Sequence, residues 1–188
     1  EGEPFSQASN KETDMRLLHI FTLPTVVILL VLLSLSNRQP PSALELSSPA
    51  HTFSAKRAAK HLRVIAKAPR PTGSDEIKSV RRYLVEELRN LGFSVNIQNK
   101  EIVDSNRNNL RASTIENIIA TKKGEKPAGK AVALMAHYDT RANSLGASDD
   151  GSGLITILET LRALNHLPSL NNDLIIIFTD GEETGLFG

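Results

Sequence analysis

Three kinds of hydrophobic pattern follow one another along the chain, and each predicts a different element. Leu17 to Leu35 is nearly all apolar and free of charged side chains, close to the ~20 residues that span a hydrocarbon core. Helical spacing begins at Ser54 and runs through Ala58, Leu62 and Ile65, stopping before Pro69. After the turn Arg70-Pro71-Thr72-Gly73-Ser74, Ser74 is placed to cap a second helix, with Asp75 and Glu76 in its first turn. That helix carries Val80, Leu84, Leu88 and Leu91 on one face and ends at Gly92. Arg81, Arg82 and Arg89 are assigned to its solvated face. Alternation at Phe93, Val95 and Ile97 predicts a half-exposed strand over Phe93 to Ile102, followed by a polar loop at Asn106 to Asn109. Ile115 to Thr121 is a further strand, and Lys122 to Lys130 a hairpin-like connection. The runs Ala131 to Ala136 and Leu174 to Phe178 are continuously apolar, as strands buried on both faces of a parallel sheet are. Between them Leu154, Leu158 and Leu161, with Ile157 and Leu164 beside them, mark a helix.

These elements divide the chain into a polar tail (1–16), an apolar segment (17–35), a linker bearing Pro40, Pro41 and Pro49 (36–53), and a folded α/β domain (54–188). Three readings fit the apolar segment: an uncleaved membrane anchor, a cleaved signal peptide, and a buried helix. A core helix would show a polar face, and no clear small-x-small cleavage site follows, so the anchor is preferred. In the first two readings the domain lies on the non-cytosolic side. Lys11 and Arg16 precede the segment and Arg38 follows it, which gives only a slight charge bias.

Composition narrows the partners. With 22 basic against 21 acidic side chains there is no electrostatic case for nucleic acid. The absence of Cys excludes a disulfide framework and a thiolate metal site.

Ionisable groups concentrate at the carboxyl ends of the two buried strands, where open α/β sheets build their sites. The first strand runs into His137 and Asp139, two apart and so on one side of an extended chain. A loop then leads to Asp149-Asp150 and Gly151-Ser152-Gly153. The second strand ends in Asp180, Gly181, Glu182 and Glu183. Taken singly, each is explained without function, as a structural histidine, a helix cap or a solvated turn. Together His137, Asp139, Asp149, Glu182 and Glu183 would crowd one sheet edge, and like carboxylates repel unless a cation joins them. Imidazole and carboxylate donors without cysteine suit zinc or a similar divalent ion.

The segments His137-Tyr138-Asp139, Ala147 to Gly153 and Asp180 to Leu186 resemble the signature of the co-catalytic two-zinc aminopeptidases. That family includes leucine aminopeptidases, glutamate carboxypeptidases and membrane-anchored endoplasmic-reticulum or vacuolar peptidases. The apolar segment and Arg70-Pro71-Thr72-Gly73-Ser74 resemble the membrane-anchored branch. The resemblance covers roughly residues 54 to 188. It implies a three-layer α/β/α fold with a mixed, mostly parallel sheet, two Zn2+ ions and peptide substrates. It also implies that His137 binds one zinc, Glu183 the other, and Asp149 bridges them. Asp139 would orient the His137 ring, Glu182 would be the general base, and the Asp149–Asp150 bond would be cis. The family's two further ligands, an Asp and a His, come downstream of the Glu pair. His51, His61 and His166 stand in the wrong contexts to replace them, so an amino-terminal part of the fold, inactive alone, is expected. An inactive receptor-like ectodomain, a carboxypeptidase and a glutaminyl-cyclase-like enzyme are the alternatives on the same scaffold.

Overall fold

In the computed structural model, described for residues 5–36, 38, 40–106, 109–126 and 129–188, the chain forms two compact units divided after Ser42. The first contains helix α1 (Phe5–Ser36), which covers the whole predicted apolar segment. Its apolar side chains from Ile20 to Leu35 are exposed. The side chains of Leu17 to His19 lie outside the described residues, as do residues 107–108 in the expected polar loop. Among the described residues no helix is long and apolar enough to cross a membrane.

The second unit follows the predicted order: α2 (Ala55–Ile65), α3 (Asp75–Asn90), β1 (Ser94–Asn106), β2 (Asn109–Lys122), β3 (Val132–His137), α4 (Gly151–Leu164) and β4 (Leu174–Thr179). Its helices start where local chemistry allows. The Ser54 and Ser74 hydroxyls accept the N–H of Arg57 and Ile77, satisfying otherwise orphaned donors. At α4 the cap is Asp150, whose carboxylate accepts the Gly153 N–H at 3.0 Å. Gly92 takes φ +84°, the left-handed conformation expected after a helix end.

The sheet order is β1-β2-β4-β3, and two features depart from expectation. Only β3 and β4 run parallel, while β1–β2 and β2–β4 are antiparallel, so the described sheet is mixed but not mostly parallel. The segment after Lys122 is no hairpin connection, because β4 lies between β2 and β3. β4 is hydrogen-bonded on both sides, to β2 and to β3, which leaves β3 at the edge of the described sheet. The apolar runs misled here because they report burial and not strand neighbours.

Layering departs too. Ile118, Ala120, Ala136, Leu174, Ile176 and Phe178 share one sheet face and pack with α2, α3 and α4 into a single core. On the opposite face Ile119, Ile177 and Met135 stand in register across three strands, and Met135 is 69% exposed. The described domain therefore has helices on one face and not the expected three layers. Arg81 is also not solvated: it reaches Glu116 at 2.7 Å, while the Tyr138 hydroxyl donates to the Glu116 carbonyl at 2.6 Å.

Candidate metal centre

Parallel pairing of β3 with β4 puts His137 opposite Thr179, so the two strand ends deliver their loops side by side. Asp139 is fully buried and joins them. Its carboxylate accepts the backbone N–H of Glu182 at 3.1 Å and of Glu183 at 3.0 Å. The same group lies 3.4 Å from Nδ1 of His137. With Nδ1 turned toward Asp139, Nε2 faces outward, 2.9 Å from Asp149 Oδ1 and 4.0 Å from Glu182 Oε2. The Asp139 hydrogen bond pushes the His137 pKa up to about 9; burial opposes this and Asp149 adds to it.

The two aspartates of the Asp149–Asp150 pair divide the work. Their peptide bond is cis, as the resemblance implied. Asp149 has a largely exposed side chain directed at His137. Asp150 points back, accepting the His137 N–H at 3.3 Å while capping α4.

Four of the predicted groups thus converge: His137, Asp139, Asp149 and Glu182. Glu183 is held by its main chain on Asp139, but its carboxylate is taken by Arg141, whose Nε lies 2.6 Å from Oε2. Among the described residues no three or more His, Asp and Glu groups are gathered closely enough to hold a metal ion. The donor chemistry nonetheless fits zinc: an outward imidazole nitrogen already oriented by a buried carboxylate, with an exposed carboxylate beside it. His61 turns elsewhere, onto the Tyr83 hydroxyl at 2.6 Å.

Sequence reasoning named Arg70 and Asp180 but assigned neither a part in holding this arrangement. Arg70 is fully buried and donates to the carbonyls of Tyr138 (2.6 Å), Leu145 (2.7 Å), Gly146 (3.0 Å) and Ile65 (3.2 Å). Asp180 accepts the Thr72 hydroxyl at 2.8 Å and the Glu116 N–H at 3.2 Å; burial raises its pKa. No periodicity marks these positions.

Residues 117–188 match the model of Peptidase family M28. The vacuolar membrane protease of Yarrowia lipolytica is 26% identical over 191 aligned residues, covering 90% of this chain and 19% of that protein. The Candida albicans vacuolar membrane protease is 31% identical over 127 residues, covering 68% of this chain and 15% of its own length. Among solved structures, Porphyromonas gingivalis glutaminyl cyclase is 31% identical with TM-score 0.62, covering 72% of this chain and 48% of that one. A leucine aminopeptidase precursor from Bacteroides thetaiotaomicron is 27% identical with TM-score 0.58, covering 72% and 49%. The chain spans less than a fifth of the length of these curated relatives. The resemblance to the co-catalytic zinc exopeptidases drawn from the three motifs is borne out by these matches.

Proposed function

We propose that the protein is a zinc-dependent exopeptidase, acting as an aminopeptidase on peptide substrates. The observation that carries this reading is Asp139, whose one buried carboxylate orients His137 on β3 and anchors the backbone of Glu182 and Glu183 after β4. A helix cap or a solvated turn has no use for such a link between the two acidic motifs. His137 Nε2, Asp149 and Glu183 would hold two zinc ions together with ligands from outside these 188 residues. Bound zinc would supply an acidified water and a polarised substrate carbonyl. Glu182, partly exposed beside His137, would accept the proton of the attacking water and return it to the leaving amine. With zinc bound, Asp139 would hold the His137 ring with Nδ1 toward itself and Nε2 toward the metal.

Likeness to glutaminyl cyclases favours one alternative reaction on the same residues, the cyclisation of amino-terminal glutamine. An inactive ectodomain is disfavoured by the presence of Glu182 beside Glu183, with His137 and Asp149 also in place. The apolar part of α1, Leu17–Leu35, is proposed to anchor the protein in a membrane with the domain on the non-cytosolic side, in keeping with relatives named vacuolar membrane proteases. Retention in the membrane fraction through an alkaline carbonate wash tests it. Release with a new terminus near Ser36 would mean a cleaved signal peptide instead.

Zinc content and turnover of aminoacyl and amino-terminal glutaminyl peptides should be measured together on the full-length protein. Glu182→Gln is expected to keep its zinc and lose about 10²–10⁴-fold in rate. If Glu182→Gln loses metal while Glu183→Gln keeps it, the two roles are reversed. A wild-type protein without zinc or turnover would leave the ectodomain reading standing.

A further inference from the structure

The turn Arg70-Pro71-Thr72-Gly73-Ser74 contains none of the groups assigned to chemistry, yet it touches both halves of the centre. Arg70 reaches the loop between His137 and Asp149 in five ways. Its guanidinium donates to the carbonyls of Tyr138, Leu145 and Gly146. Its backbone N–H donates to the Thr140 hydroxyl at 2.8 Å, and its carbonyl accepts the Thr140 N–H at 3.2 Å. Two residues on, Thr72 donates to Asp180, directly before the Gly181-Glu182-Glu183 turn. Asp180 in turn donates its N–H to the Asn117 side chain at 2.9 Å, which fixes it against β2. Ser74 then caps α3, so the segment is itself tied to a core helix.

This pattern is more specific than burial requires. An arginine taken out of water needs its donors satisfied, but any carbonyls or carboxylates would serve. Three of its carbonyl acceptors belong to the single loop that delivers Asp149, and the remaining one, Ile65, ends α2. The rigid fork of a guanidinium can hold several carbonyls at fixed spacing, which a lysine ammonium cannot. Gly146 seals the contact: it has φ +57°, and a Cβ there would run into the Thr140 methyl and lie 2.8 Å from the Asp149 carbonyl.

We propose that residues 70–74 are a positioning brace for the metal centre, in which Arg70 sets the loop of Asp149 and Thr72 sets the turn of Glu182 and Glu183. The spacing between the two sets of donors is then fixed by residues that touch neither metal nor substrate. The proposal rests on the reading of the site as a zinc centre.

The test uses the full-length protein and the variants Arg70→Lys, Thr72→Val and Thr72→Ser. Five quantities are compared: zinc affinity, kcat, KM, melting temperature, and hydrogen exchange at residues 139–150 and 181–184. Arg70→Lys should speed exchange at 139–150, weaken zinc by about 10–100-fold and lower kcat with KM little changed. Thr72→Val should do the same through 181–184, and Thr72→Ser should restore it. Variants whose zinc affinity and kcat stay at wild-type values while only the melting temperature falls would overturn the brace, as would unchanged exchange in both loops. If Arg70→Lys does not fold, the Thr72 pair decides. Wild-type protein that holds no zinc would sink the metal-centre reading by itself, and loop exchange would still decide the brace.

Discussion

Asp139 Oδ2 accepts the backbone N–H of Glu183 at 3.0 Å, so a side chain beyond the end of β3 fixes the main chain beyond the end of β4. The same carboxylate accepts from Glu182 through its other oxygen and faces His137 Nδ1. Asp139→Asn keeps the volume but offers one acceptor oxygen in place of two, and its amide directs N–H groups at a backbone N–H or at the ring. The expected result is a stability loss of about 1–3 kcal/mol from a buried unsatisfied donor. Zinc affinity should fall by about 10–100-fold, since the ring keeps only the Asp139 main-chain carbonyl, 3.3 Å from Nδ1, and loses its charged partner. Denaturant unfolding and metal titration on the full-length variant measure the two effects. A variant as stable and as zinc-tight as wild type would mean that Asp139 only fills space.

Gly146→Ala tests the loop at its tightest point. The residue sits at φ +57°, and its Cβ position is occupied by Thr140 and approached by the Asp149 carbonyl and Arg70. Left-handed backbone alone costs a non-glycine residue about 1–3 kcal/mol, and the collision adds to it. Thermal unfolding should register at least that loss. An unchanged melting temperature would show that the loop relaxes freely, which would also weaken the case for Arg70.

Glu159 offers a pH-dependent check well away from the metal centre. It is fully buried on α4 and accepts from Ser54 N–H (2.9 Å), Arg57 Nε (3.0 Å) and Arg162 Nε (2.7 Å), pinning the start of α2 to α4. Burial pushes its pKa up, but the Arg162, Ser54 and Arg57 hydrogen bonds outweigh this and hold it below the ordinary value. A depressed carboxylate pKa means that the unfolded chain binds the proton more readily. The stability Glu159 contributes is thus present at neutral pH and lost as pH falls through its folded-state value. Glu159→Gln should destabilise by about 3 kcal/mol at pH 7, because the two arginines lose their buried partner. The gap between variant and wild type should narrow below about pH 4. A gap that stays constant from pH 7 to pH 3 would contradict this account.

How much of this was legible in the sequence depends on the kind of force involved. Helices α2, α3 and α4 were readable because capping and the 3.6-residue repeat are local, and Ser54, Ser74 and Gly92 behave as their chemistry requires. His137, Asp149 and Glu182 were readable because strand ends collect functional groups. Strand order was not, because Leu174 to Phe178 is apolar whether β4 sits inside the sheet or at its edge. Arg70 was unreadable for a different reason. Its partners are carbonyls, which every residue possesses, so nothing in the side chains of positions 138, 145 and 146 announces a buried guanidinium. Arg81 was misplaced for a similar reason: Glu116, its counter-ion, is 35 positions away on another element.

The sheet face opposite the helices carries an apolar row. Met135 on β3, Ile177 on β4 and Ile119 on β2 lie in register there, and Met135 is 69% exposed. β3 is also the edge strand of the described sheet, with Val132 48% exposed. An apolar edge strand beside an apolar face favours pairing with another chain, through backbone hydrogen bonds along the edge and burial of the face. Residues 43–188, produced without α1, should therefore self-associate at micromolar concentration, and they should show no peptidase activity. Met135→Lys places a charge on that face without touching the core, which packs on the other side of the sheet. It should shift the population toward monomer in light scattering while leaving the melting temperature of the monomer nearly unchanged. If residues 43–188 are monomeric as wild type, the face does not drive association. If Met135→Lys leaves the oligomers intact, some other surface holds them together.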